Sequence, residues 1–168
     1  MIRTILTYPN PELKKKSAAV TIISDPIREL VRDMAETMYA APGIGLAAPQ
    51  IGVHQRVILI DISGKNDPPD LIVAINPVIV HVEGDAYEEE GCLSVPAYAA
   101  NVKRHARAIV KALDLEGVEQ TWNADGLLAI AFQHEIDHLD GILFVDHLSV
   151  LKRELFQRKV RKAAEEKQ

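Results

Sequence analysis

Only one of the 168 residues is a cysteine, Cys92, so no disulfide can close within the chain. No apolar run approaches the ~18 residues that would read as a membrane span. The N-terminus, Met1-Ile2-Arg3-Thr4, has no signal-peptide or transit-peptide character. These absences predict a protein of the cytoplasm, in a reducing compartment, with no membrane partner. There is no excess of basic residues either: net charge is −5, which gives no general reason to expect nucleic acid. Internal repeats and low-complexity segments are also missing. What remains is an ordinary soluble composition, 48% apolar and 26% charged, at a length that suits one domain over 1–168. The charge is unevenly spread. Seven Lys/Arg and three Glu between Lys152 and Gln168 give that end +4 and leave the preceding residues at −9.

The most informative stretch is Gln133-His134-Glu135-Ile136-Asp137-His138. On a helix, four residues advance about 400°, so His134 and His138 share one face, one turn apart, and can close on one metal ion. Glu135 sits about 100° round, close enough to reach a water beside the metal. This is the HExxH arrangement, in which a metal activates water and the glutamate carries its proton. Leu127, Ile130 and Ala131 place apolar residues on the histidine face, and imidazoles directed into apolar surroundings need a partner.

HExxH supplies two ligands, whereas a catalytic site usually has three and an open position. Gly141 fits an HExxHxxGxxH continuation, but the final position is Phe144, which excludes that class. Glu154 is a downstream carboxylate candidate, in a strongly charged helix. Cys92, after Glu88-Glu89-Glu90-Gly91, is either an inert buried thiol or the missing ligand.

In chain order, residues 1–24 read as irregular. Asp25-Pro26 opens a helix that ends near Ala41-Pro42-Gly43 and buries Leu30, Met34 and Met38. Gly43-Ile44-Gly45-Leu46-Ala47-Ala48-Pro49-Gln50-Ile51-Gly52 lacks a Lys-Ser/Thr ending and follows a helix, so it is no phosphate loop; alone it reads as a packed turn. Strands are expected over 57–62, 71–75 with 78–82, 102–104, 108–113 and 119–122, the second interrupted at Asn76-Pro77. The HExxH helix runs from about Gly126 to Leu139, capped by Asn123 or Asp125. A last helix, about Ser149 to Ala164, has Leu148, Leu151, Leu155 and Phe156 as its apolar side.

Three of these stretches together resemble the signature motifs of the peptide deformylase family: Gly43 to Gln50, Glu90-Gly91-Cys92-Leu93-Ser94, and Gln133 to Leu139. They stand in the family's order and at similar separations, and the resemblance extends over almost the whole chain. It implies an α+β fold, with short antiparallel sheets around a central HExxH helix and a C-terminal helix. It implies a metal-dependent hydrolase that removes the formyl group from the N-terminal formylmethionine of newly synthesised polypeptides and releases formate. Formylated nascent peptides are then its partners, and a monomer is the expected state.

The resemblance further implies that Cys92, His134 and His138 bind one divalent metal ion. Ferrous iron is the expected ion, and Zn²⁺, Ni²⁺ or Co²⁺ also tolerate two nitrogens and a sulfur. Glu135 becomes the proton carrier. The Gln50 amide and the Leu93 backbone N–H stabilise the oxyanion. Ile44, Leu127, Ile130 and Ala131 are candidates for the methionine pocket, Gly45 for a backbone contact with substrate. Glu90 joins the substrate-site residues and pairs with Arg104 to orient the cysteine strand. Many relatives carry an arginine or tyrosine after Ser94-Val95-Pro96 that contacts the substrate backbone; here the stretch is Ala97-Tyr98-Ala99-Ala100-Asn101, with Tyr98 the nearest candidate. The basic C-terminal helix suits docking to ribosomal RNA.

Two other classes compete. An HExxH endopeptidase would use Glu154 as third ligand and would keep its metal without Cys92. A non-catalytic metal module would close the site with a fourth ligand such as His147, and would leave Glu135 without a purpose.

Overall fold

Asp25-Pro26 does open a helix, with proline in the first turn where no N–H is needed. In the computed structural model, which describes residues 1–167, this is α1, Asp25–Ala40. The next stretch is more than a turn. It forms a short strand, β1 (Gly45–Ala47), and a 3-10 turn (Ala48–Ile51), closed by Gly52 in the left-handed region at φ 82°. The strands that follow are β2 (Val57–Ile60), β3 (Ile72–Glu83), β4 (Ala86–Cys92), β5 (Val95–Arg104), β6 (Arg107–Leu113) and β7 (Glu119–Asp125). Helix α2 (Gly126–Leu139) carries the HExxH residues. A 3-10 turn (Phe144–His147) leads to α3 (Val150–Glu166).

All named strands pair antiparallel, in a five-stranded sheet ordered β1-β2-β3-β6-β7 and a two-stranded sheet β4-β5. The α+β expectation therefore holds. Three strands run longer than expected, among them β7, which continues past Trp122 to Asp125. β3 passes through Asn76-Pro77 because Asn76 adopts φ 53° and the register shifts there, a bulge that lets proline stay in the strand. β5 starts at Val95, since its pairing with β4 carries it well upstream of Val102.

β2 explains the division of the core. Its four residues are all buried, and alternate side chains leave opposite faces of a strand. Ile58 and Ile60 enter the core against α2, with Phe132, Ile136 and Leu139. Val57 and Leu59 enter the core against α1, with Met34 and Met38. A third group joins Val95 and Val102 of β5 to Phe144 and Phe156. Helix α2 lies between these layers and is buried on most sides, which is why its apolar residues are not confined to one stripe. Asp125 stands at its N-cap, but neither Asp125 nor Asn123 provides a side-chain cap.

The apolar side expected for the last helix is half corrected: Leu148 and Phe156 are buried, Leu151 and Leu155 are not. Only Phe156 of α3 is buried, wedged 5.0 Å from Tyr8 and 4.6 Å from Tyr98 between ring centroids. Leu151 and Leu155 are 66% and 52% exposed. The helix touches the body along one narrow line, and nothing in the described chain covers the rest. Among the described residues, no helix is long and apolar enough to cross a membrane.

Candidate metal centre

α2 brings His134 and His138 one turn apart, their ring centroids separated by 5.0 Å. Cys92 comes from the end of β4, where the pairing with β5 slips between Gly91 and Cys92. Its Sγ lies 3.3 Å from His138 Nε2. One donor atom from each of the three residues falls within 4.8 Å of the others. Glu154 and His147 do not join them. Glu154 is exposed on α3, and His147 Nε2 is bonded 2.8 Å from Asp137 Oδ2.

The ring of His134 is held from behind. Its Nδ1 is 2.9 Å from Glu90 Oε1, so Nε2 is the nitrogen left for a ligand. Arg104 grips the same carboxylate twice, through Nε (2.9 Å) and Nη2 (3.0 Å). Burial alone would raise the Glu90 carboxyl, but the hydrogen bonds from His134 and Arg104 outweigh it and hold the group down at about 2. Burial also opposes charge on His134. Its bonds to Cys92 and Glu90 prevail and lift it to about 10. His138, buried beside that positive ring, is pushed well below its usual range.

Glu135 is the unmatched group. It is buried, and its Oε2 has no hydrogen-bond partner. Burial pushes its carboxyl up to about 7. A sulfur and two imidazole nitrogens converging beside an unpartnered buried carboxylate fit a divalent ion with an open position.

Gln50 reaches the same place from the 3-10 turn after β1. Its Oε1 accepts from the Ala47 N–H (2.9 Å), which turns Nε2 toward Ser94 Oγ (3.0 Å) and Cys92 Sγ (3.7 Å). The centre opens into a cleft of about 1210 Å³. Gly45, Gln50, Cys92, Leu93, His134 and Glu135 all line it.

A family model described as polypeptide deformylase matches residues 2–154. The chain belongs to this family. It is 51% identical to the peptide deformylase of Acidobacterium capsulatum, over 96% of this chain and 95% of that one. A crystal structure of a peptide deformylase from Legionella pneumophila superposes with a TM-score of 0.91 at 46% identity, covering 99% of this chain and 98% of that one. The peptide deformylase of Ehrlichia chaffeensis in complex with actinonin superposes at 0.90 with 40% identity, over 96% and 97%.

Within this deformylase framework, Ile44, Leu127, Ile130 and Ala131 line the apolar part of the cleft. Leu127 is 53% exposed and Ile44 46%, so neither is ordinary core. Glu90, grouped with the substrate residues by the sequence reading, has both oxygens turned to His134 and Arg104. Tyr98 lines the cleft but is packed on Phe144 and Phe156. Three further supports lie outside the residues predicted from the sequence. Gln133 pins the β5–β6 connection through both backbone groups of His105 (2.9 Å each). Phe144 stacks on the His134 ring, 6.1 Å between centroids at 25°. Asp137 accepts from Arg104 Nη1 at 2.6 Å. Asp137 lies inside the HExxH motif, where a carboxylate one residue from a ligand was the available signal.

Proposed function

We infer that the chain is a metal-dependent hydrolase that removes the formyl group from the N-terminal formylmethionine of newly made polypeptides and releases formate. The observation that carries this reading is the convergence of Cys92, His134 and His138 beside the unpartnered Glu135 carboxylate, at the base of a cleft lined by the deformylase motifs.

Cys92, His134 and His138 would hold one divalent ion, taken here as ferrous iron, which when bound supplies Lewis-acid polarisation of the formyl oxygen and a more acidic water. Glu135 takes a proton from water as the oxygen adds to the formyl carbon. A buried carboxyl with an unpartnered oxygen facing the cleft is placed for that task. The same carboxyl returns the proton to the amine nitrogen as the C–N bond breaks, leaving formate and a free methionine amino group. Charge on the formyl oxygen falls to Gln50 Nε2, whose direction is set by Ala47, and to the Leu93 N–H. Losing one such donor typically costs about 3–4 kcal/mol of transition-state stabilisation. The methionine side chain enters the apolar side of the cleft at Ile44, Leu127, Ile130 and Ala131, with Gly45 presenting backbone to the peptide.

The reading takes a monomer as the working unit, in the cytoplasm where nascent chains emerge. The exposed basic face of α3 supports docking to the ribosome. The direct test is formate release from a formyl-Met-Ala-Ser peptide by protein prepared anaerobically and loaded with Fe²⁺ or Ni²⁺. Chelator-sensitive release, absent in Glu135→Ala, is expected. No formate from folded, metal-loaded protein would overturn the reading.

A further inference from the structure

His134 is the ligand whose surroundings extend furthest. From its Nδ1 a chain of charged groups runs outward through Glu90, Arg104 and Asp137 to His147. Each link is between 2.6 and 3.0 Å. The inner members are buried, and Arg104 and Glu90 side chains are only 5% and 4% exposed. His147 is the outer end, with its side chain 37% exposed.

We propose that His147 is a positioning residue for the metal centre, acting on His134 through Asp137, Arg104 and Glu90. The proposal rests on the reading of Cys92, His134 and His138 as the metal ligands. Asp137 can only accept when ionised, so His147 Nε2 donates to it. Nε2 then cannot also accept from Arg104 Nη1, 3.3 Å away; both donors converge on one Asp137 oxygen. His147 therefore fixes where that oxygen stands, and the oxygen fixes Nη1 of Arg104. The guanidinium is planar and rigid, so a displaced Nη1 tilts Nε and Nη2, the two groups that hold Glu90. Glu90 in turn sets the rotation of the His134 ring.

The short turn Phe144–His147 grips His134 in two ways. Phe144 lies on the face of the ring, while His147 reaches round to the far end of the polar chain. A ring held on its face and at its Nδ1 presents Nε2 in one direction, which is what a ligand set needs to bind tightly.

The test compares His147→Ala with His147→Gln in the full chain, because the glutamine amide can donate from nearly the position of Nε2. Zn²⁺ affinity is measured by competition with a chromophoric chelator, alongside the melting temperature of the metal-free protein. Removing a direct partner of a metal-bound histidine typically costs about 10–100-fold in affinity; His147 stands further out, and about 3–10-fold is expected for His147→Ala. His147→Gln should restore near-normal affinity, and neither change should move the metal-free melting temperature. Unchanged affinity in His147→Ala overturns the proposal. So does equal weakening in both variants, or a loss that tracks a fall in melting temperature. Wild-type protein that binds no Zn²⁺ would refute the ligand assignment itself. That result is distinct from a bound wild type with an indifferent His147.

Discussion

Gly45 and Glu135 lie so close that a Cβ on Gly45 would stand 2.5 Å from the carboxylate Oε1 and 2.9 Å from Cδ. The glutamate belongs to a buried helix and the glycine to a buried strand, so neither backbone can withdraw. A methyl group there must push the carboxylate aside. A displacement of about 1 Å can cost ~10²-fold in rate, and a loss of that order in kcat is expected for Gly45→Ala. Metal content should not change, because the three atoms nearest the added methyl all belong to Glu135 and none to Cys92, His134 or His138. Formate release and metal analysis on one preparation check this. Near-normal kcat would mean that Glu135 need not keep this position.

The Glu90 pair makes the metal-free protein sensitive to acid. Glu90 titrates at about 2 in the folded chain, against an ordinary 4.5. A lowered folded pKa gives stability that is fully present above the unfolded value and is lost as protons bind. The loss should therefore run from about pH 4.5 down to about pH 2 and amount to about 3 kcal/mol for this group. Urea unfolding of chelator-treated protein across that range measures it. Glu90→Gln should be less stable at pH 7 and should flatten the acid limb. An equally steep limb in the variant would place the acid sensitivity elsewhere.

How much of this was legible depended on distance along the chain. The spacing of His134, Glu135 and His138 encodes a helical face directly, so two ligands and the proton carrier could be read from it. Cys92 could not be chosen that way, because it reaches the centre only through the β4–β5 hairpin. The resemblance, not local periodicity, singled it out. Local sequence assigns Asp137 no role, and His147 only that of a fourth ligand in a closed site, since nothing local shows that Arg104 arrives between them. Leu151 and Leu155 misled in the opposite sense. Periodicity tells which side of a helix is apolar, but not whether anything lies against it.

Gly141 predicts a purely structural failure. It ends α2 in the left-handed region at φ 75°, and a Cβ there would run into the Lys14 carbonyl. Backbone cannot step aside as a flexible side chain can. Strain at such a φ costs of the order of 1–3 kcal/mol before the clash is counted. At roughly 2–4 °C per kcal/mol for a chain of this size, Gly141→Ala should melt at least about 5 °C lower. Calorimetry on the metal-free protein decides it, and an unchanged melting temperature would require the segment around Lys14 to be free to move.

The basic helix α3 is the remaining test, and its packing dictates the design. Deleting the chain after Leu155 would remove Phe156, which is 3% exposed and packs on Tyr8 and Tyr98. Any loss of ribosome binding would then be confounded with damage to the core beside the cleft. Exchanging Lys152, Arg158 and Lys162 for glutamate leaves Phe156 in place and turns +3 into −3 on the helix. If α3 docks on ribosomal RNA, cosedimentation with ribosomes should fall steeply in this variant, and wild-type binding should weaken as salt rises, because neutralised phosphates release counterions. Turnover of a short formyl peptide should stay the same, since none of the three residues lines the cleft. Unchanged cosedimentation at low salt would remove the ribosome from the reading of this helix and leave its charges a solvated face.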